Sequence, residues 1–259
     1  MHTARRKLAT FGLNDQVLDE FTPAVDKLLA QVSSKQRFEF VEELASPLPC
    51  EVLADLFCIP ETQRPNFYRW SNAMTQFFGG ATEEIEKDEA QADQGASELR
   101  KYFTQLLQEW RARPQNDFLS SLLQNQGALG LDDSELISQA CILLVAGTVT
   151  TSDQICNVLH EILRRPKILE QIQGNPSLLE AAMEEATRLD PSVNFLFRLS
   201  KIDQQLEDKQ IKAGDLVFIS VHAVNPNESV ITRGVKVKAA VGPFEIAGQK
   251  TPKPGVFWI

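Results

Sequence analysis

The chain has 259 residues, enough to bury a sizeable core in one or two domains. Hydrophobic residues make up 43% and charged residues 24%, as in an ordinary globular protein. A formal net charge of −9 argues against the clustered basic surface that nucleic-acid phosphates require, and four cysteines without close spacing form neither a disulfide framework nor a zinc pattern.

Apolar residues at Val17, Leu18, Phe21, Val25, Leu28, Leu29 and Val32 recur at helical spacing and predict a helix from Leu13 to Ser34. A short strand is expected at Phe38 to Val41, then a helix ending before Pro60. Phe67, Trp70, Met74, Phe77 and Phe78 predict another helix, closed by Gly79-Gly80. Glu83 to Arg113 reads as a long charged helix ended by Pro114, with Tyr102, Phe103 and Trp110 as core positions. Phe118 to Leu123 predicts a short helix ending near Gly127. Asp132-Asp133-Ser134 supplies an N-terminal cap for a helix running to Arg165. At about 1.5 Å per residue that helix spans on the order of 45 Å, a scaffold length. Its greasiest run, Ile142 to Ala146, is too short to cross a bilayer. Two shorter helices follow, the second stopped by Asp190-Pro191. Ile211 to Val221 is the one convincing β stretch. No charged-then-apolar leader opens the sequence, so a cytoplasmic location away from membranes is expected.

Two features carry chemistry. Ala146-Gly147-Thr148-Val149-Thr150-Thr151 places small and β-branched hydroxyl residues inside an apolar helix. Glycine is costly there, and threonine hydroxyls can bond back to earlier carbonyls and bend the helix. The gap leaves room for a ligand against the backbone. The bland alternative for Thr150 is a core threonine bonded to its own helix. Glu185-Ala186-Thr187-Arg188 then puts an acid and a base on one helix face, able to pair or jointly grip a third group. Isolated pairs of this kind more often mark a solvated face. His160 and His222 stand alone and read as structural histidines.

In this order and spacing the two features resemble the oxygen-binding groove and the E-x-x-R of cytochrome P450. Further segments are similar to that family: His2-Thr3-Ala4-Arg5-Arg6-Lys7-Leu8, Phe38-Glu39-Phe40-Val41-Glu42-Glu43-Leu44-Ala45-Ser46-Pro47-Leu48-Pro49, Phe197-Arg198, and Gln205-Leu206 through Val217. The resemblance implies a mainly α, P450-like helical core with a small β element, incomplete, over residues 1–225. It implies heme, clamped at its propionates by His2, Arg6 and Arg198, with Ala146 and Gly147 lining the groove and Thr150 assisting oxygen activation. Glu185 and Arg188 become a structural ion pair. The implied reaction is O2-dependent hydroxylation of a small apolar substrate, with electrons from a ferredoxin-type redox partner.

The sequence also departs from the family. The thiolate that ligates heme iron comes from a glycine-rich loop after E-x-x-R. Cys50, Cys58, Cys141 and Cys156 all precede Glu185, so no metal ligand is assigned. Val149 stands where the family most often has an acid, and valine moves no proton. Residues 226–259 match nothing in the family, through a frame change near Glu228 or a divergent tail. On this reading the chain is the middle of the fold and inactive alone, with a heme-free auxiliary partner of a glycosyltransferase or a gene remnant as alternatives. The Glu185–Arg188 pair is expected to lie open to water, with its usual third partner, in the meander, absent. The face carrying Leu143, Ala146, Gly147 and Thr150 is expected to border an empty or collapsed groove, leaving a loosely packed or aggregating monomer.

Overall fold

A computed structural model describes residues 21–79, 85–113 and 118–225. The expectations for His2, Arg6 and the 226–259 tail lie outside these residues. The chain divides into two compact units, with the division between Asp153 and Gln154.

The first unit is helical throughout its described residues. Helix α1 (Thr22–Ser33) buries Ala24, Leu28 and Val32 at the predicted spacing. No strand forms at Phe38 to Val41. The Glu39 N–H donates to the Glu43 carboxylate at 2.9 Å, and a π-helical turn follows over Val41–Ala45. This cap and the approaching proline favour a helical turn over the expected strand. Ser46 N–H reaches back five residues to the Val41 carbonyl, immediately before Pro47, which has no N–H to donate. Helix α2 (Pro47–Leu56) begins at that proline.

Helices α3 (Arg64–Gly79) and α4 (Ile85–Ala112) pack along each other. Gly95 makes this possible: a Cβ there would stand 3.0 Å from the Trp70 carbonyl oxygen. Phe57, Phe67, Trp70, Phe103 and Phe118 form the centre of the core. Their rings meet edge to face, Phe57 with Phe103 at 5.3 Å and with Phe118 at 5.5 Å. Helix α5 (Phe118–Gln126) ends in a 3₁₀ turn over Gly127–Leu129 and a left-handed Gly130.

Helix α6 (Asp133–Leu163) opens with a capping box. Glu135 N–H donates to the Asp132 carboxylate at 2.8 Å, and Asp132 N–H to that of Glu135 at 3.1 Å. By length and composition the whole helix, unlike its short apolar run, could cross a membrane. Its Leu136, Ile137, Ala140, Leu144 and Val145 instead belong to the core of the first unit.

In the second unit, α7 (Pro166–Gly174), a 3₁₀ turn (Pro176–Leu178) and α8 (Leu179–Leu189) follow the end of α6. Ile162, Ile168, Ala182 and Leu189 form their core. Two antiparallel ribbons come next, β1 (Phe195–Leu199) with β4 (Leu216–Ser220), and β2 (Gln204–Leu206) with β3 (Lys209–Ile211). β2, β3 and β4 fall in the segment from Gln205 to Val221 read as β, and β1 adds a strand beyond it. Helix α9 (Val221–Val224) closes the described chain.

Candidate functional site

The site residues fall on three elements. Helix α6 carries the small-residue segment in the first unit. Thr150 Oγ1 donates to the Ala146 carbonyl one turn back, so the hydroxyl is bonded to its own helix. Ala146 is exposed, and Val149 and Thr150 are half-buried. Gly147, expected to leave space for a ligand, faces α2: a Cβ there would lie 3.0 Å from Leu53 Cδ1. The missing side chain is thus used by a close helix–helix approach. Leu143 likewise packs against the core rather than bordering a void.

Thr148 is the residue that the sequence reading passed over. It is buried, and its hydroxyl donates to the Val145 carbonyl at 3.1 Å. That leaves its oxygen to accept from buried Ser71 of α3 at 2.6 Å. A hydroxyl has one hydrogen, so the direction of both bonds follows. Nothing in the spacing of Ser71 and Thr148 announces this pairing.

The acid–base pair lies on α8 in the second unit. Glu185 is 1% exposed, and the Arg188 side chain 13%. The arginine donates Nε to Glu185 Oε2 at 2.7 Å and Nη2 to Oε1 at 2.6 Å, a bidentate fork. Its Nη1 donates to the Asn225 carbonyl at 2.6 Å. The expectation of a pair open to water is overturned, while the expected absence of a partner from the meander lies outside the described residues. The pair is buried where α8 packs with the end of α6 and with α7, and the third partner is a main-chain oxygen that no sequence motif displays. Gln154 and Asn157 of α6 add side-chain bonds to the Asp190 carbonyl at 3.3 and 3.2 Å, fixing the turn after α8.

Arg198 is exposed on β1, where Nη1 donates to the Phe197 carbonyl at 2.8 Å. An exposed guanidinium suits a carboxylate-bearing ligand such as a heme propionate. The cysteines suit the iron poorly. Burial pushes the Cys50 thiol up to about 12 and the Cys141 thiol up to about 11, opposite to the shift that makes a thiolate. Cys58 is exposed after α2, and Cys156 is half-buried on α6. Among the described residues no group of three or more His, Cys, Asp or Glu could hold a metal ion. These residues fit the acid end of a heme and not its thiolate end.

The family model for cytochrome P450 matches residues 27–231, and the chain belongs to that family. A putative cytochrome P450, YjiB of Bacillus subtilis, is 29% identical over 90% of this chain and 60% of its own length. Cytochrome P450 107B1 of Saccharopolyspora erythraea is 30% identical over 86% of this chain and 55% of its own length. The solved structure of CYP109B1 from Bacillus subtilis superposes with a TM-score of 0.80 at 28% identity, covering 97% of this chain and 68% of that one. P450BioI, solved in complex with an acyl carrier protein bearing a hexadecenoic acid, gives a TM-score of 0.79 at 27% identity over 90% of this chain and 61% of that one. The chain therefore spans between half and two thirds of the curated relatives it matches. Heme is the cofactor of this family, and its members are monooxygenases.

Proposed function

We propose that residues 21–225 form the helical scaffold of a heme monooxygenase, with the thiolate supplied by no cysteine in this sequence. The observation that carries the reading is the buried Glu185–Arg188 fork held to the Asn225 carbonyl. Its burial and two-pronged geometry support the family reading over a chance surface pair. Heme, when bound through a thiolate, supplies the oxidising chemistry. The residues present have simpler roles. Arg198 binds a propionate. Thr150 holds a hydroxyl at a fixed point on α6 through its bond to Ala146. Val149 supplies no proton, so any acid must come from elsewhere. Apolar substrate, a ferredoxin-type redox partner and a cytoplasmic location belong to the same reading. The acyl carrier protein seen with P450BioI makes a carrier-tethered acyl chain one form such a substrate could take.

The test is spectroscopic. Heme-reconstituted protein, reduced under carbon monoxide, is expected to lack the thiolate-type Soret band from which the family takes its name. A stoichiometric band of that type would show that one of the four cysteines ligates iron and would overturn the reading.

The raised cysteine values also favour a second reading, a heme-free homologue acting as a stabilising partner, for instance of a glycosyltransferase. The fork and the aromatic core are made of protein groups alone. Co-purification of a stoichiometric partner with a heme-free chain would support it, and tight heme uptake would exclude it.

A further inference from the structure

Packing does little to hold the β1–β4 ribbon. β1 is exposed at all five of its residues, and Leu216 and Phe218 of β4 are exposed as well. At its far end the ribbon closes on itself. Ser200 N–H donates to the Asp215 carbonyl at 2.9 Å, and Gly214 N–H to that of Ser200 at 2.8 Å. The direction of the ribbon is therefore set at its root, the segment from Asp190 to Asn194 that joins α8 to β1.

Two sets of hydrogen bonds hold that root. Asn194 is tied to the exit of the other strand, because Val221 N–H donates to its carbonyl at 2.9 Å. The turn before it is held by α6. Gln154 Nε2 donates to the Asp190 carbonyl at 3.3 Å, and Gln154 Oε1 accepts from Ser192 N–H at 2.9 Å. One side chain thus spans both neighbours of Pro191, which has no N–H of its own. Asn157, further along α6, bonds the same Asp190 carbonyl at 3.2 Å. Gln154 is the side chain that also holds Ser192, just before β1 begins. A carboxamide suits this task because it offers a donor and an acceptor side by side. Leucine offers neither.

β1 carries one charge, Arg198, in register with Val217 of β4. Its guanidinium is exposed, with Nη1 given to the Phe197 carbonyl at 2.8 Å. An exposed side chain on an unpacked strand goes where the root of the strand sends it. We infer that Gln154 is a positioning residue for Arg198: by holding the Pro191 turn it aims β1, and so places the guanidinium for a heme propionate. This rests on the reading of Arg198 as a propionate-binding residue.

Fe(III) protoporphyrin IX and its dimethyl ester test this, since only the first carries charged propionates. Each is titrated into the full chain and followed by Soret absorbance, with amide hydrogen exchange by NMR as a second measurement. Arg198→Ala is expected to weaken heme binding about threefold to fivefold, the worth of an exposed charge pair, and to leave the ester unchanged. Gln154→Leu is expected to weaken heme binding about twofold to threefold, to spare the ester, and to add nothing in the Arg198→Ala background. Exchange of the Ser192 amide should quicken by about fivefold or more in Gln154→Leu, while α8 amides stay protected. Parent-like heme affinity in Gln154→Leu, beside a loss in Arg198→Ala, overturns the inference alone. A loss shared by heme and ester, or one that persists without Arg198, gives Gln154 a general structural role and also overturns it. So does unchanged exchange at Ser192, or loss of α8 protection in Gln154→Leu. A parent chain that takes up no heme, or an Arg198→Ala chain that binds it as tightly as the parent, overturns the propionate reading and the inference with it.

Discussion

At the scale of single residues, Glu185 and Arg188 show what a sequence can and cannot convey. The three-residue spacing makes a pair on one helix face legible. Burial is not legible, because it depends on a carbonyl 37 residues further along the chain. The energetic consequence is large. A pair open to water contributes about 0–1 kcal/mol. Removing one member of a buried pair leaves a desolvated charge and costs about 3–5 kcal/mol. Glu185→Ala is therefore expected to lower stability by that larger amount in a urea melt. Glu185→Gln, which keeps the shape and one acceptor, should lose less. A loss below about 1 kcal/mol for the alanine variant would return the pair to solvent and refute the buried geometry. The helix-bonded reading of Thr150 was legible, since the back-bond to Ala146 is a local consequence of helix spacing. Ser71 and Thr148 were not, because their contact is purely tertiary.

Among the elements, helices announced themselves well, because an apolar stripe every three to four residues leaves few alternatives. The β1 strand did not. Phe195-Leu196-Phe197-Arg198-Leu199 is apolar on both faces, so it lacks the alternation that marks a half-buried strand. The strand expected at Phe38 to Val41 failed for the opposite reason: a two-residue alternation was present, but local capping by Glu43 outweighed it. Two glycines in long helices separate by the same kind of detail. Adding a methyl group to a helix glycine gains up to about 1 kcal/mol of propensity. At Gly95 the methyl would press on the rigid Trp70 backbone at 3.0 Å. At Gly147 it would press on the end of the mobile Leu53 side chain at the same distance. Gly95→Ala is thus expected to lower stability by about 1–3 kcal/mol, as overpacked cores do. Gly147→Ala should stay within about 1 kcal/mol of the parent, the strain offset by propensity. Thermal melts of the two variants check the contrast. Equal losses would show that α2 and α6 are held as rigidly as α3 and α4.

For the molecule as a whole, the sequence motifs identified the family and its helical fold. The state of packing was harder to read. Counting absent family segments suggests a loose, dye-binding globule, because losing several large buried side chains at roughly 1.5–3 kcal/mol each would exhaust a margin of about 5–15 kcal/mol. The first unit nevertheless has a continuous aromatic core, with Trp70 and Trp110 buried in it. Such fixed rings give near-UV circular dichroism, which molten states lose. The chain is therefore expected to show a near-UV signal that disappears in one cooperative step on heating. A flat near-UV spectrum beside intact far-UV helicity would restore the loosely packed picture. The β1–β4 ribbon also exposes large apolar side chains, and there Phe197 and Phe218 touch only at the outer range of ring contact, 6.4 Å.

The grip of Arg188 on Asn225 has one more implication. The arginine reads a main-chain oxygen, and every residue type offers the same oxygen. The clasp is thus indifferent to the letter at position 225 and sensitive to the count of residues that brings that peptide group to it. It works as a ruler for chain length between α8 and α9. Substitutions along the intervening ribbon can drift while the clasp holds, whereas a single inserted or deleted residue would slide a different carbonyl, at a different angle, under the guanidinium.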